Sequence, residues 1–126
     1  MAEQEIQERY IELLRRNADV ENFEAGQTVF SEGELADRMY IVSSGSVSLH
    51  VGDSVVEVVG PGRLFGEMAV IDREPRSATA ITDSETELVA IDKRRFWFLV
   101  QETPFFAEIV MRTMAGRIRH MNAAIS

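Results

Sequence analysis

Residues 65–80 read FGEMAVIDREPRSATA. Upstream, Gly60-Pro61-Gly62 ends a strand and makes a turn, and Phe65 is an apolar anchor. Residues 66–70 have the composition of one or two helical turns, whose N-terminus aims unpaired backbone N–H groups outward. Such a terminus attracts anions, because the helix dipole adds partial positive charge to those donors. Gly66 permits close backbone approach. Pro75 then fixes an extended entry for Arg76, which opens the next strand. The guanidinium of Arg76 offers forked donors matched to phosphate oxygens, and Glu67 is an acceptor for hydroxyls. Donors for phosphate beside an acceptor for hydroxyl suit a sugar phosphate. A structural ion pair between Glu67 and Arg76, closing the loop, accounts for the same spacing, and spacing alone leaves both readings open.

Outward from this stretch the chain has the texture of short strands. Residues 28–30, 39–42, 46–51 and 55–59 are β-branched or aromatic runs separated by glycines. Residues 78–82 and 87–91 add two more around the turn at Asp83-Ser84-Glu85. Val47, Leu49 and Val51 alternate with Ser46, Ser48 and His50, which predicts one wet face. Ser43-Ser44-Gly45-Ser46 and Gly52-Asp53-Ser54 read as hairpin turns. Before the strands, Ile6, Tyr10, Leu13 and Leu14 share one face of a helix over residues 5–18. After them, Asp92 has the chemistry of an N-cap for a helix over 93–101. Thr103-Pro104 starts a last helix running to about Asn122, with Phe106, Ile109, Val110, Met114, Ile118, Met121 and Ile125 as its apolar stripe. The expected fold is α+β: an antiparallel, jelly-roll-like β-roll with one N-terminal helix, a short helix within 65–80 and two C-terminal helices. It is read as one domain, with a helical segment at 1–22, the roll at 23–92 and helices at 93–126.

Composition narrows the function. A chain of 126 residues with 45% hydrophobic content supports a single core. It holds no cysteine, which removes disulfides, cysteine-ligated metal and thiol catalysis, and suits a cytoplasmic setting. A formal net charge of −8 argues against a nucleic-acid surface. No apolar run approaches the roughly 20 residues of a membrane helix, and the acidic start is not a secretory signal. The two histidines, His50 and His120, lack metal-ligand spacing, and nucleophile-elbow, zinc-protease and P-loop motifs are absent. No metal or cofactor is therefore expected, and an enzyme built on the roll lacks ligands and motifs.

The 65–80 stretch resembles the phosphate-binding cassette of the cyclic nucleotide-binding domain family, whose pattern is roughly F-G-E-[LM]-A-L, a variable loop, then P-R-[SAT]-A-[ST]. The nine-residue step from Glu67 to Arg76 matches. FEAGQTVFSEGELADRMYIVSSGSVSLHV, residues 23–51, is similar to the family's leading strands, so the resemblance covers nearly the whole chain. It implies a non-catalytic receptor of bacterial type for cAMP or cGMP. Arg76 would take the cyclic phosphate and Glu67 the ribose 2′-hydroxyl. Backbone N–H groups of Gly66, Glu67 and Ala69 would complete the cradle, with Met68 and Val70 facing the core. Ser77 would touch phosphate or base. Asp72-Arg73-Glu74 departs from members with a glycine in this loop, and leaves Arg73 as a second, less anchored cation. The resemblance also implies a C-terminal helix that closes over the base, with Met114, Arg117, Ile118 and Met121 as capping candidates. No helix-turn-helix, kinase or pore segment lies within these residues, so the expected output is a second copy of the chain, a separate effector, or a longer protein of which this is one domain. The alternative is an interaction module of the same fold, with an unused pocket and a structural Glu67–Arg76 pair.

Overall fold

The computed structural model describes residues 3–16 and 18–125, with the side chains of residues 3, 4, 6, 7 and 122–125 excepted. Ile6 and Ile125 of the expected stripes therefore lie, as side chains, outside the described residues. The chain divides into two compact units, 1–93 and 94–126.

The first unit opens with helix α1 (Glu3–Arg15) and strands β1 (Asp19–Phe23), β2 (Thr28–Phe30), β3 (Arg38–Ser44), β4 (Val47–Val51), β5 (Ser54–Val59) and β6 (Leu64–Phe65). One helical turn, α2 (Met68–Ile71), precedes β7 (Thr79–Thr82) and β8 (Thr86–Asp92). The strands form two antiparallel four-stranded sheets, ordered β1-β8-β3-β6 and β2-β7-β4-β5. The six expected strands are present. Two more, β1 and β6, escaped the pattern: β1 (DVENF) is polar, and β6 has two residues. The first strand thus begins at Asp19, ahead of the expected boundary at 23.

The period-2 rule places the core. Tyr40 and Val42, Val47 and Leu49, Ala78 and Ala80, and Leu88 and Ala90 point inward with Phe30, Val59 and Phe65 to form one buried cluster between the sheets. Met39, Ile41, Val89 and Ile91 occupy the opposite face of their sheet and are also buried. Three rings of the cluster, Phe30, Tyr40 and Phe65, stand 5.5–6.2 Å apart. Pairing of Tyr40 with Phe65 and of Ile41 with Leu64 fixes where β6 ends, and therefore where residue 66 begins.

Four local expectations are corrected. Residues 43–46 are not a hairpin, because β3 and β4 belong to different sheets. Gly45 turns the corner between them with φ +89°, and a Cβ there would come within 3.0 Å of both Glu85 O and Thr86 Cα. By contrast, Gly52-Asp53-Ser54 does join the paired strands β4 and β5. Ser48 is not on a wet face: it is 6% exposed, and its hydroxyl lies 2.7 Å from both carboxylate oxygens of Asp83. Val51, expected inward, is exposed. In α1, Tyr10 and Leu14 are buried but Leu13 is exposed, since it falls on the rim of the stripe. Arg15 anchors this helix to β8 with two hydrogen-bonding contacts to Glu87, Nε to Oε2 at 2.9 Å and Nη2 to Oε1 at 3.0 Å. The Ser43 hydroxyl donates to the same carboxylate.

The second unit holds most of α3 (Lys93–Glu102) and all of α4 (Pro104–Ile125). Thr103 O accepts from Phe106 N at 2.9 Å, which starts α4 on the expected Thr-Pro signal. Phe96 meets Phe106 edge to face at 5.7 Å. Phe106 and Val110 are buried, Ile109 and Met114 half-buried, and Ile118 and Met121 exposed, so the stripe is covered only at its start. No helix of the described residues is long and apolar enough to cross a membrane.

Candidate functional site

The register of β3 on β6 delivers Phe65 into the core and sets Gly66 at its rim. Gly66 adopts φ +77°, a conformation that L side chains rarely hold. Glu67 follows, 5% exposed, at the N-terminal boundary of α2. Its carbonyl accepts from Val70 N and Ile71 N, each at 3.0 Å, so one helical turn forms where one or two were expected. Within that turn Ala69 and Val70 are buried. Met68, expected to face the core, is 43% exposed, because in so short a turn only one side can face the sheet.

The chain then loops through residues 72–75. Asp72 Oδ1 accepts from Glu74 N at 3.2 Å, and Arg73, exposed, holds φ 60°. Arg76, expected to open the next strand, lies ahead of it, since β7 begins only at Thr79. Its N–H donates to Glu34 O and its carbonyl accepts from Gly33 N, both at 2.8 Å, so the loop before β3 grips it on both backbone groups. Ser77, next in line, is exposed.

The side chain of Arg76 runs back toward the start of the cassette and is only 6% exposed. Nη1 donates to Gly66 O at 3.0 Å, which joins the two ends of the 66–76 segment. Cζ lies over the Phe30 ring, 3.9 Å from its centroid, and 5.9 Å from that of Tyr40. Nε is buried and has no hydrogen-bond partner among the described residues. No carboxylate forms an ion pair with Arg76 among the described residues. Burial lowers its pKa from the ordinary arginine value; Tyr40, Glu34 and Asp37 oppose that shift at longer range, and Arg38 adds to it. Arginine stays charged across the accessible pH range regardless.

Of the expected residues, half-buried Gly66 and buried Arg76 are thus brought together; Glu67 and Ala69 are buried, and Met68 and Ser77 exposed. Met114, Arg117, Ile118 and Met121 lie on α4, in the second unit. The sequence reading did not single out Phe30 or the Gly33-Glu34 grip. The signal for the grip was weak: Gly33 alone marked a turn. Phe30 carried none, since an aromatic in a strand is ordinarily core.

A family model described as "Cyclic nucleotide-binding domain" matches residues 20–103. The chain is 31% identical over 124 residues to the CRP-like cAMP-activated global transcriptional regulator of Mycobacterium tuberculosis, covering 94% of this chain and 55% of that protein. It is 35% identical over 99 residues to the cyclic AMP receptor protein of Thermus thermophilus, covering 75% and 46% respectively. The crystal structure of the Thermus thermophilus catabolite activator protein superposes with TM-score 0.78 at 29% identity, covering 99% of this chain and 59% of that one. The chain spans about half the length of these two curated relatives.

Proposed function

The chain belongs to the cyclic nucleotide-binding domain family, and from that premise we propose that it is a non-catalytic cytoplasmic receptor for cAMP or cGMP. Arg76 takes the cyclic phosphate. Glu67 accepts from the ribose 2′-hydroxyl. The N–H groups of Gly66, Glu67 and Ala69 complete the cradle, and Ser77 stands at its outer edge.

One observation carries this reading. A guanidinium that is 6% exposed, with a buried Nε lacking a partner among the described residues, is poised for an anion. An unpaired buried donor costs about 1–3 kcal/mol, and a phosphate oxygen removes that cost. The rival reading, an unused pocket braced by a Glu67–Arg76 ion pair, needs a carboxylate on Arg76. Among the described residues Arg76 instead meets the Gly66 carbonyl and the Phe30 ring.

Signal output follows from a population shift. The ligand moves α4 only by as much as its affinity differs between two positions of that helix. One of Met114, Arg117, Ile118 and Met121 is the candidate to cap the base. The same stripe docks a second copy of the chain or a separate effector protein, without contact to nucleic acid or membrane by this domain. Exposed Ile118 and Met121 support that assignment.

Arg76→Ala and Glu67→Gln, compared by calorimetry, test the roles. Losing one partner of a buried charge-assisted contact costs on the order of 2–5 kcal/mol, so Arg76→Ala weakens cyclic nucleotide binding at least about thirtyfold. Glu67→Gln weakens it less, because the amide oxygen still accepts a hydroxyl. Equal losses in the two variants contradict the assignment of phosphate to Arg76 and ribose to Glu67.

A further inference from the structure

Arg76 is held on three sides before any ligand arrives. Its backbone is gripped by Gly33 and Glu34 at 2.8 Å. Its Nη1 is spent on Gly66 O at 3.0 Å. Beneath Cζ, at 3.9 Å, lies the Phe30 ring. The ring cannot easily turn away: Phe30 is buried, pairs through β2 with Ala80, and packs 5.8 Å from Phe65 and 6.2 Å from Tyr40. Gly66 closes the arrangement from above. A Cβ on it would fall 2.6 Å from Nη1 and 3.3 Å from Phe30 Cε2, so no residue with a side chain leaves room for the stack.

The chemistry of the support matters. A carboxylate in the same place would neutralise the guanidinium and compete with an anionic ligand. The face of an aromatic ring attracts the cation through its quadrupole without removing the charge. With one of its five N–H groups on Gly66 O and one face on Phe30, the guanidinium keeps further donors for an anion, and its buried Nε–H has no partner among the described residues.

We propose that Phe30 is a positioning residue for the anion site. Its ring holds the Arg76 guanidinium so that the N–H donors not spent on Gly66 O receive the cyclic phosphate. This inference rests on the receptor reading above, and its test separates the two. In ligand-free protein, the ring current over Phe30 shifts the Arg76 Nε–H resonance upfield in the wild type, and Phe30→Leu abolishes that shift. Incorporation of 3,4,5-trifluorophenylalanine at position 30 keeps the shape of the ring but weakens its quadrupole. It raises the Kd for cAMP at least about twofold, and Phe30→Leu raises it roughly three- to thirtyfold. A purely structural role of the ring is indifferent to fluorination. A wild type that binds cAMP with a Kd unchanged by the fluorinated ring, or with no upfield Nε–H signal, overturns the role of Phe30 and leaves the receptor reading standing. A wild type that shows the upfield signal but binds neither cAMP nor cGMP overturns both the receptor reading and this inference.

Discussion

Arg73 holds φ 60° without being glycine, which costs an L residue roughly 1–2 kcal/mol. The Asp72 carboxylate, accepting from Glu74 N, holds the loop in this shape and offsets part of the cost. Arg73→Gly is therefore expected to raise unfolding stability by about 0.5–1 kcal/mol, read from the midpoint of urea denaturation, without weakening ligand binding. A loss of affinity above about threefold would make Arg73 a second phosphate cation rather than loop surface. At this scale the sequence was legible where residue chemistry was unusual for its surroundings. Glu67 and Arg76 stood out as an acid and a base among apolar neighbours, and both are buried. Met68 was not legible, because its placement depends on α2 being a single turn. Phe30 was not legible either, because nothing in the chain says that a guanidinium 46 positions later lies on its ring.

Strand β4 and the turn after β7 are coupled through Asp83. Its carboxylate takes the hydroxyls of Ser46 at 2.9 Å and Ser48 at 2.7 Å, while its N–H donates to Ser46 O at 2.9 Å. Asp83→Ala leaves the buried Ser48 hydroxyl unpaired and is expected to cost about 1–3 kcal/mol. Adding Ser48→Ala to that variant recovers part of the loss, since removing both partners of a buried pair is cheaper than removing one. Urea denaturation of the two single variants and the double variant measures this coupling, and strict additivity would contradict it. The elements themselves were legible from period and composition, and six of eight strands and the four helices follow from them. Their partners were not. Residues 43–46 carry the composition of a hairpin, yet Gly45 leads the chain from one sheet to the other. Local turn chemistry fixes that the chain bends, whereas the sheet it joins is fixed by the core contacts of Val42, Val47 and Leu88.

Over the whole molecule, a net charge of −8 surrounds one deeply buried cation that has no carboxylate partner among the described residues. An anionic ligand must then gain its affinity from that local site, against a long-range field that opposes it. The family and the roll were legible from the cassette and the glycine-punctuated strands. The division into two units was not, because α3 begins at Lys93 immediately after β8 ends at Asp92, with no linker to mark the boundary. Calorimetric titration of the wild-type chain with cAMP and with cGMP tests the central claim most directly. Saturable binding of at least one nucleotide at sub-millimolar concentration, lost or weakened at least about thirtyfold by Arg76→Ala, is the expected result. Heat indistinguishable from dilution for both nucleotides contradicts it.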